Sequence, residues 1–424
     1  MTPQDTKHKT RALWLTGVLH AFTHLYQVAL MPLYLLIQKD FKFQNAEAAT
    51  LLMTVLLVSC FGPSYAVGVL ADKLNRKKLL TFGLFLNAIG FIALALAPTY
   101  GWALVSVIVA GLGGSFYHPA ATALIARLFP RETGKALGLV GIGAGAGFFV
   151  GPLYAGWRAG ALEPVLGPAA WRRPVLEMGV LGLIGAAVFA LLAEEERVSQ
   201  DEAAETNHPH KIFPSGALWF FFISYCLAFA LRDFAGASMG SLGSLFLQKA
   251  RGYDAQSTGL ALSGIYLASI ISNPLFGSLS DRGRKRWCTI ALGTAACMMA
   301  IFPWVPARYT IPIYVIYGFF FLAGYPMTEA ALMESVPDAV RGRVFGLFVM
   351  TGGVIGNLSH WLVGAKVKQL GPAATSVTAY YPLYGFLAIL LLSSLSGLLC
   401  LNPIRKRESI KPGMASSDSV ALMT

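Results

Sequence analysis

Gly68-Val-Leu-Ala-Asp72-Lys-Leu-Asn-Arg76-Lys77-Lys78 returns, altered, as Gly277-Ser-Leu-Ser-Asp281-Arg282-Gly283-Arg284-Lys285-Arg286, 209 residues further along the chain. Each copy leaves one long apolar segment and enters another. The echo continues elsewhere. Tyr117-His118 with Gly134-Lys135-Ala-Leu-Gly138-Leu139 maps onto Tyr325-Pro326 with Gly342-Arg343-Val-Phe-Gly346-Leu347 at an offset of 208. Ile37-Gln38-Lys39 answers Leu247-Gln248-Lys249 at an offset of 210. A nearly constant offset at three separated places marks an internal duplication.

Composition identifies the solvent of the repeated unit. Of 424 residues, 55% are hydrophobic and only 13% charged, where a soluble domain carries roughly 25% charge. Apolar stretches of about 20 residues suffice to cross a bilayer. Twelve are present, at about 12–38, 47–71, 78–98, 101–127, 135–157, 175–193, 214–248, 256–280, 286–304, 309–335, 343–366 and 377–402. The seventh is long enough to be tilted or broken. The first begins after Lys7, Lys9 and Arg11 and lacks a small-residue cleavage site, so it reads as a span and not as a signal peptide.

The formal charge of +12 is explained by where the basic residues fall. With both termini cytoplasmic, the tails and loops on that side hold 22 of the 33 Lys and Arg residues. Positive charge on cytoplasmic loops orients inserted helices. The basicity is therefore a topology signal, and no nucleic-acid partner is expected. The five cysteines lie in or at the ends of apolar segments without paired spacing, which points to neither a disulfide framework nor a metal site.

The only long polar interruption, Glu194 to Lys211, is acidic and separates spans six and seven. It divides the chain into a first bundle over 1–193, a linker over 194–213, a second bundle over 214–404 and a cytoplasmic tail over 405–424. Six spans return the chain to the same side, so the halves run in parallel, related by an axis along the membrane normal. The expected fold is an all-α membrane protein of twelve transmembrane helices in two six-helix bundles with pseudo-two-fold symmetry.

The loop at Gly68, Leu70, Asp72, Arg76 and Lys77 resembles the G-x-L-a-D-x-x-x-R-K pattern between spans two and three of the major facilitator superfamily. The second copy keeps Gly277, Leu279, Asp281 and a basic cluster that includes Arg282. The resemblance implies a cytoplasmic conformational latch, with Gly68 letting two helices approach closely. Gly147-x-x-x-Gly151-Pro152-x-x-Ala155-Gly156 in span five is similar to that superfamily's antiporter motif, with Ala155 replacing one glycine. Small residues four apart also serve plain helix packing, and Pro152 can bend its helix. Phe116-Tyr117-His118-Pro119 looks like the fosmidomycin-resistance branch of drug/proton exporters. Those exporters usually carry an arginine where this chain has Val107, a departure from the standard proton relay.

Ionisable residues inside a membrane default to functional candidates. Span one holds His20 and His24, four apart and so on one helix face. Span seven holds Arg232 and Asp233, which the duplication places within two positions of the equivalent of His24. In the family, spans one, four, seven and ten line the central cavity, so His24, Arg232 and Asp233 are expected to approach one another near mid-membrane. Adjacent residues point about 100° apart on a helix, so Arg232 and Asp233 need not pair. Two histidines alone do not make a metal site, because no cysteine or carboxylate lies at ligand spacing nearby. Arg232 is the candidate to attract an anionic group, with Asp233 or a histidine to carry the proton; span ten supplies Glu329 as a further protonatable coupling residue and Glu334 for a gate, with Arg282 or Arg284 to neutralise it. His360 reads as structural. Tyr26, Tyr117, Tyr225, Tyr266 and Tyr325 are candidate cavity-lining aromatics.

The whole reads as a secondary active transporter of a small organic molecule, anionic if Arg232 is accessible and otherwise amphipathic. It works by alternating access and exports its substrate against protons. No nucleotide-binding loop of the G-x-x-x-x-G-K-[ST] type occurs, no nucleophile–base motif marks an enzyme, and no cofactor is expected. A monomer in a bacterial inner membrane completes the expectation. Proton-coupled uptake of an organic anion and movement of lipid are the alternatives.

Overall fold

The computed structural model describes residues 3–129, 132–193, 212–281, 283–336 and 340–408. Arg282, most of the linker and the chain from residue 409 lie outside the described residues, as does the side chain of Asp72. Ten described stretches are long and apolar enough to cross a bilayer by length and composition. One of them, Lys135–Leu192, folds as two helices, Thr133–Leu166 and Arg172–Leu192. The first helix, Pro3–Val28 with its continuation Tyr34–Asp40, completes twelve among the described residues. Its hydropathy is diluted by His20, Thr23, His24 and Gln27, a stripe at spacings of three and four that faces inward.

Local chemistry sets where these helices begin and break. Asn75, Thr99, Ser215 and Asp254 stand just before helices and accept a backbone N–H three residues on, satisfying donors that the first turn leaves free. Span two breaks at Gly62-Pro63, between Glu47–Phe61 and Ser64–Lys73. Span four breaks between Tyr100–Ser115 and Tyr117–Leu128, where Pro119 withholds the N–H that would close the turn. Span seven, in contrast, runs unbroken over Gly216–Ala250. At 1.5 Å per residue its 35 residues exceed a bilayer core of about 30 Å, so it tilts or projects.

The remaining spans are Arg76–Ala95 (three), Ala255–Leu267 with Ser269–Ser280 (eight), Arg284–Ile301 (nine), Thr310–Met333 (ten), Arg341–Leu370 (eleven), and Tyr381–Ser393 with Gly397–Glu408 (twelve). Packing repeats across the duplication. Span one lies on five as seven lies on eleven; span three lies on four and six as nine lies on ten and twelve. The seams between halves, five with eight and two with eleven, are images of each other under the same exchange. The molecule is two six-helix bundles related by a pseudo-two-fold axis.

Burial follows a membrane solvent. Phe220, Ile223 and Leu227 on span seven face outward, while Ser238, Ser241 and Ser244 on the same helix are wholly buried. Small polar residues inside and large apolar ones outside suit helices that pack closely in lipid.

Candidate functional site

The break in span four carries Tyr117 and His118 against span one. The His20 ring stacks on Tyr117 with centroids 4.7 Å apart, and the Tyr117 hydroxyl donates to the Thr16 carbonyl at 2.9 Å. His24 is buried, with Nδ1 2.7 Å from Gln27 Oε1 and Nε2 3.0 Å from His20 Nε2. His118 reaches both, its ring centroid 5.3 Å from each of theirs. Phe148 of span five lies 4.1 Å from the His24 ring and stacks on Tyr266 of span eight at 4.8 Å. That stack joins the histidines to the other bundle.

The second bundle holds the counterpart. Arg232 is 1% exposed. It donates from Nε to Asp233 Oδ1 at 2.9 Å and from a terminal nitrogen to Thr328 Oγ1 at 2.7 Å, and its guanidinium lies 4.0 Å over the Tyr325 ring. The adjacent pair does close, because the flexible stem of arginine carries its head round the backbone to the neighbouring carboxylate. Asp233 sits over Gly352 and Gly356 of span eleven, and a Cβ built on Gly356 falls 2.7 Å from the Asp233 Cβ. Tyr117 and Tyr325, equivalent in the duplication, thus each shelve an ionisable side chain from span one or its counterpart. Glu329, one turn beyond Tyr325 on the same face, is half-buried and makes no ion pair or hydrogen bond with a described residue.

The two clusters stay apart. The described partners of His24 belong to the first bundle and those of Arg232 to the second, so the expected approach of His24 to Arg232 and Asp233 is replaced by two half-sites. Tyr26 and Tyr225 are core residues, donating to the carbonyls of Met178 and Thr328 at 2.9 and 2.8 Å. Gln27, Phe148 and Thr328 were not singled out in the sequence, since ordinary polar and aromatic residues become site residues only through contacts across helices.

At the ends near the termini, Arg284 pairs with Glu334 and, at 3.1 Å, with Asp281. All three belong to the second bundle, so the contact braces the loop between spans eight and nine against span ten. Among the described residues, a Cβ on Gly68 would meet only Pro119, at 4.0 Å, and one on Gly277 would meet nothing within 4 Å. Neither glycine is needed for a close approach in this conformation. Span five is different. Gly143, Gly147 and Gly151 face the backbone of Gly17, Ala21 and Leu25 in span one, whereas Gly156 crosses to span eight, where its Cβ would fall 2.9 Å from Gly259 Cα. The helix continues through Pro152.

A family model described as Major Facilitator Superfamily matches residues 13–360. The chain belongs to the major facilitator superfamily. Within it, the fosmidomycin resistance protein of Escherichia coli (strain K12) is 25% identical over 376 residues, covering 88% of each chain. The multi-drug resistance efflux pump PmrA of Streptococcus pneumoniae is 26% identical over 387 residues, 86% of this chain and 92% of that one. A bacterial homolog of the human lysosomal transporter Spinster, solved inward-facing and unoccupied, superposes with a TM-score of 0.68 at 15% identity, covering 96% of each chain. This superfamily member is an integral membrane protein with the transporter fold.

Proposed function

We propose that this transporter exports a small amphipathic organic molecule in exchange for protons by alternating access, with both termini in the cytoplasm of a bacterial cell and the chain acting as a monomer. The bundles, over 1–193 and 214–404, rock about the two half-sites. The observation that carries the reading is Glu329, a half-buried carboxylate on the Tyr325 face of span ten that makes no hydrogen bond or ion pair with a described residue and lies within electrostatic reach of Arg232 and Asp233. Such a group can hold either a proton or a basic substrate group, and that competition is what exchange requires. Export is supported by the two resistance and efflux relatives. The absent arginine supports coupling in the second bundle, because Val107 is packed at 0% exposure in the apolar core of the first.

An anionic substrate loses its support. Arg232 is buried and already satisfied by Asp233 and Thr328, so a substrate anion would have to displace a carboxylate bonded at 2.9 Å.

Inverted membrane vesicles with an imposed pH gradient test the proposal. A panel of amphipathic cations is expected to cause substrate-dependent proton leak, abolished in Glu329→Gln. Leak that persists in that variant at the native rate removes Glu329 from coupling. No leak with any compound turns the reading toward uptake or lipid movement.

A further inference from the structure

The first bundle brings together something the linear spacing of His20 and His24 does not contain: a third histidine. His20 Nδ1 lies 2.9 Å from the Val140 carbonyl oxygen. A carbonyl only accepts, so this nitrogen carries the ring proton and His20 Nε2 keeps a bare lone pair in the neutral ring. His24 Nδ1 is held in the same way by Gln27 Oε1 at 2.7 Å, while the Gln27 amide nitrogen points to Cys60 Sγ at 3.6 Å. His24 Nε2 is then bare as well. Yet the two Nε2 atoms lie 3.0 Å apart, two acceptors with no proton of their own between them. His118 closes the group, and one nitrogen from each of the three rings lies within 4.8 Å of the others. Its ring makes no hydrogen bond with a described residue.

This is the chemistry of a cation site. Imidazole nitrogens bind zinc at about 2.0–2.1 Å, which sets tetrahedral ligands roughly 3.3 Å apart. A metal-binding histidine gives its other N–H to a carbonyl or carboxylate, fixing the tautomer and aiming the lone pair. The Val140 carbonyl and the Gln27 amide hold those positions behind His20 and His24.

We propose that His20, His24 and His118 bind one divalent transition-metal cation of the zinc class inside the first bundle, with the fourth coordination position open to water or an anionic ligand. Three neutral ligands leave the full charge on the ion. An anion in the open position neutralises part of it. The site lies in the opposite bundle from Glu329, so metal binding and proton coupling are separable by mutation.

The full-length protein, purified in detergent through a histidine-free tag and stripped with a chelator, is titrated with Co²⁺ and then Zn²⁺. One Co²⁺ per chain is expected, with the visible d–d absorption of a low-coordinate nitrogen site, displaced stoichiometrically by Zn²⁺. His118→Ala, which breaks no described hydrogen bond, is expected to weaken binding by at least about a hundredfold, and Gln27→Ala by about ten- to a hundredfold. The double variant His208→Ala/His210→Ala, outside the trio, is expected to keep the signal. Two results overturn the proposal. One is a cobalt spectrum and affinity unchanged in both His118→Ala and Gln27→Ala. The other is no stoichiometric binding below about 100 µM in the native chain, which leaves a proton shared between His20 and His24 as the occupant. A single monodisperse elution peak establishes that each variant is folded.

Discussion

Arg232 is neutralised by its own neighbour, and that fixes what each acidic residue of the second bundle can be asked to do. Removing one partner of a buried ion pair costs about 3–5 kcal/mol because the other charge is stranded. Asp233 is 17% exposed and Arg232 1%, so Asp233→Asn is expected at the lower end, about 3 kcal/mol less stable by thermal unfolding in detergent. The double variant Arg232→Met/Asp233→Asn should recover most of that loss, since the stranded charge is gone; failure to recover would mean the pair is not what the variant breaks. Glu329→Gln, with no described hydrogen bond or ion pair to lose and with the opposite charges of Arg232 and Asp233 both acting on it, is expected to unfold within about 0.5 kcal/mol of the native chain. Loss of transport in Asp233→Asn would therefore mix folding with coupling, and Glu329→Gln is the cleaner probe. All of these residues were legible in the sequence, because charge inside an apolar run stands out. Their pairing was not, because a 100° helical offset describes where Cβ points and not where a guanidinium ends.

The helix of span five shows the same boundary between pattern and partner. Glycines four apart announce a close-packed face, and three of them do meet the backbone of span one. Nothing in the spacing says that Gly156 turns to span eight, or that Gly138 and Gly141 on the same helix face open space. The distinction gives opposite expectations within one helix. Gly147→Ala forces a Cβ into the backbone at Ala21 and should cost about 1–3 kcal/mol. Gly141→Ala meets nothing within 4 Å and should stabilise by about 0.5–1 kcal/mol through helix propensity. Thermal unfolding of the two variants side by side checks the sign of each. The fold-level features were legible for a related reason: span count, duplication and basic loops are properties of the linear chain. The histidine trio and the Gly352–Gly356 cradle under Asp233 depend on helix rotation, which an apolar sequence specifies weakly when lipid and protein contacts are both hydrophobic.

At the scale of the molecule, the described hydrogen bonds between bundles gather at the side away from the termini. Tyr34 and Ser241 share a bond of 2.8 Å, and Ser241 meets His360 Nδ1 at 2.5 Å. Thr54 donates to the Asn357 carbonyl at 2.9 Å and accepts from the Trp361 N–H at 2.9 Å. Glu47 pairs with Lys368 at 2.7 Å. His360 is structural in a specific sense, as part of a buried chain that crosses from span one through span seven to span eleven. These contacts differ in weight. The Glu47–Lys368 pair is partly solvated, with Lys368 53% exposed, and such pairs contribute about 0–1 kcal/mol. Glu47→Gln should therefore change the open-to-closed ratio on this side by no more than about fivefold. Ser241→Ala strands the Tyr34 hydroxyl and His360 Nδ1 in the closed seam, a penalty of about 1–3 kcal/mol for each group left dry and relieved when water enters. The ratio should then rise by at least about tenfold. A cysteine placed at Met31, in a Cys297→Ser background, reports the opening by its rate of reaction with a membrane-impermeant thiol reagent applied from that side. A rate ordered Ser241→Ala above Glu47→Gln above native is expected if the buried chain holds the seam; equal rates would assign the seal to helix packing, with Gly156 against Gly259 and Gly364 against Thr50 as close approaches within it.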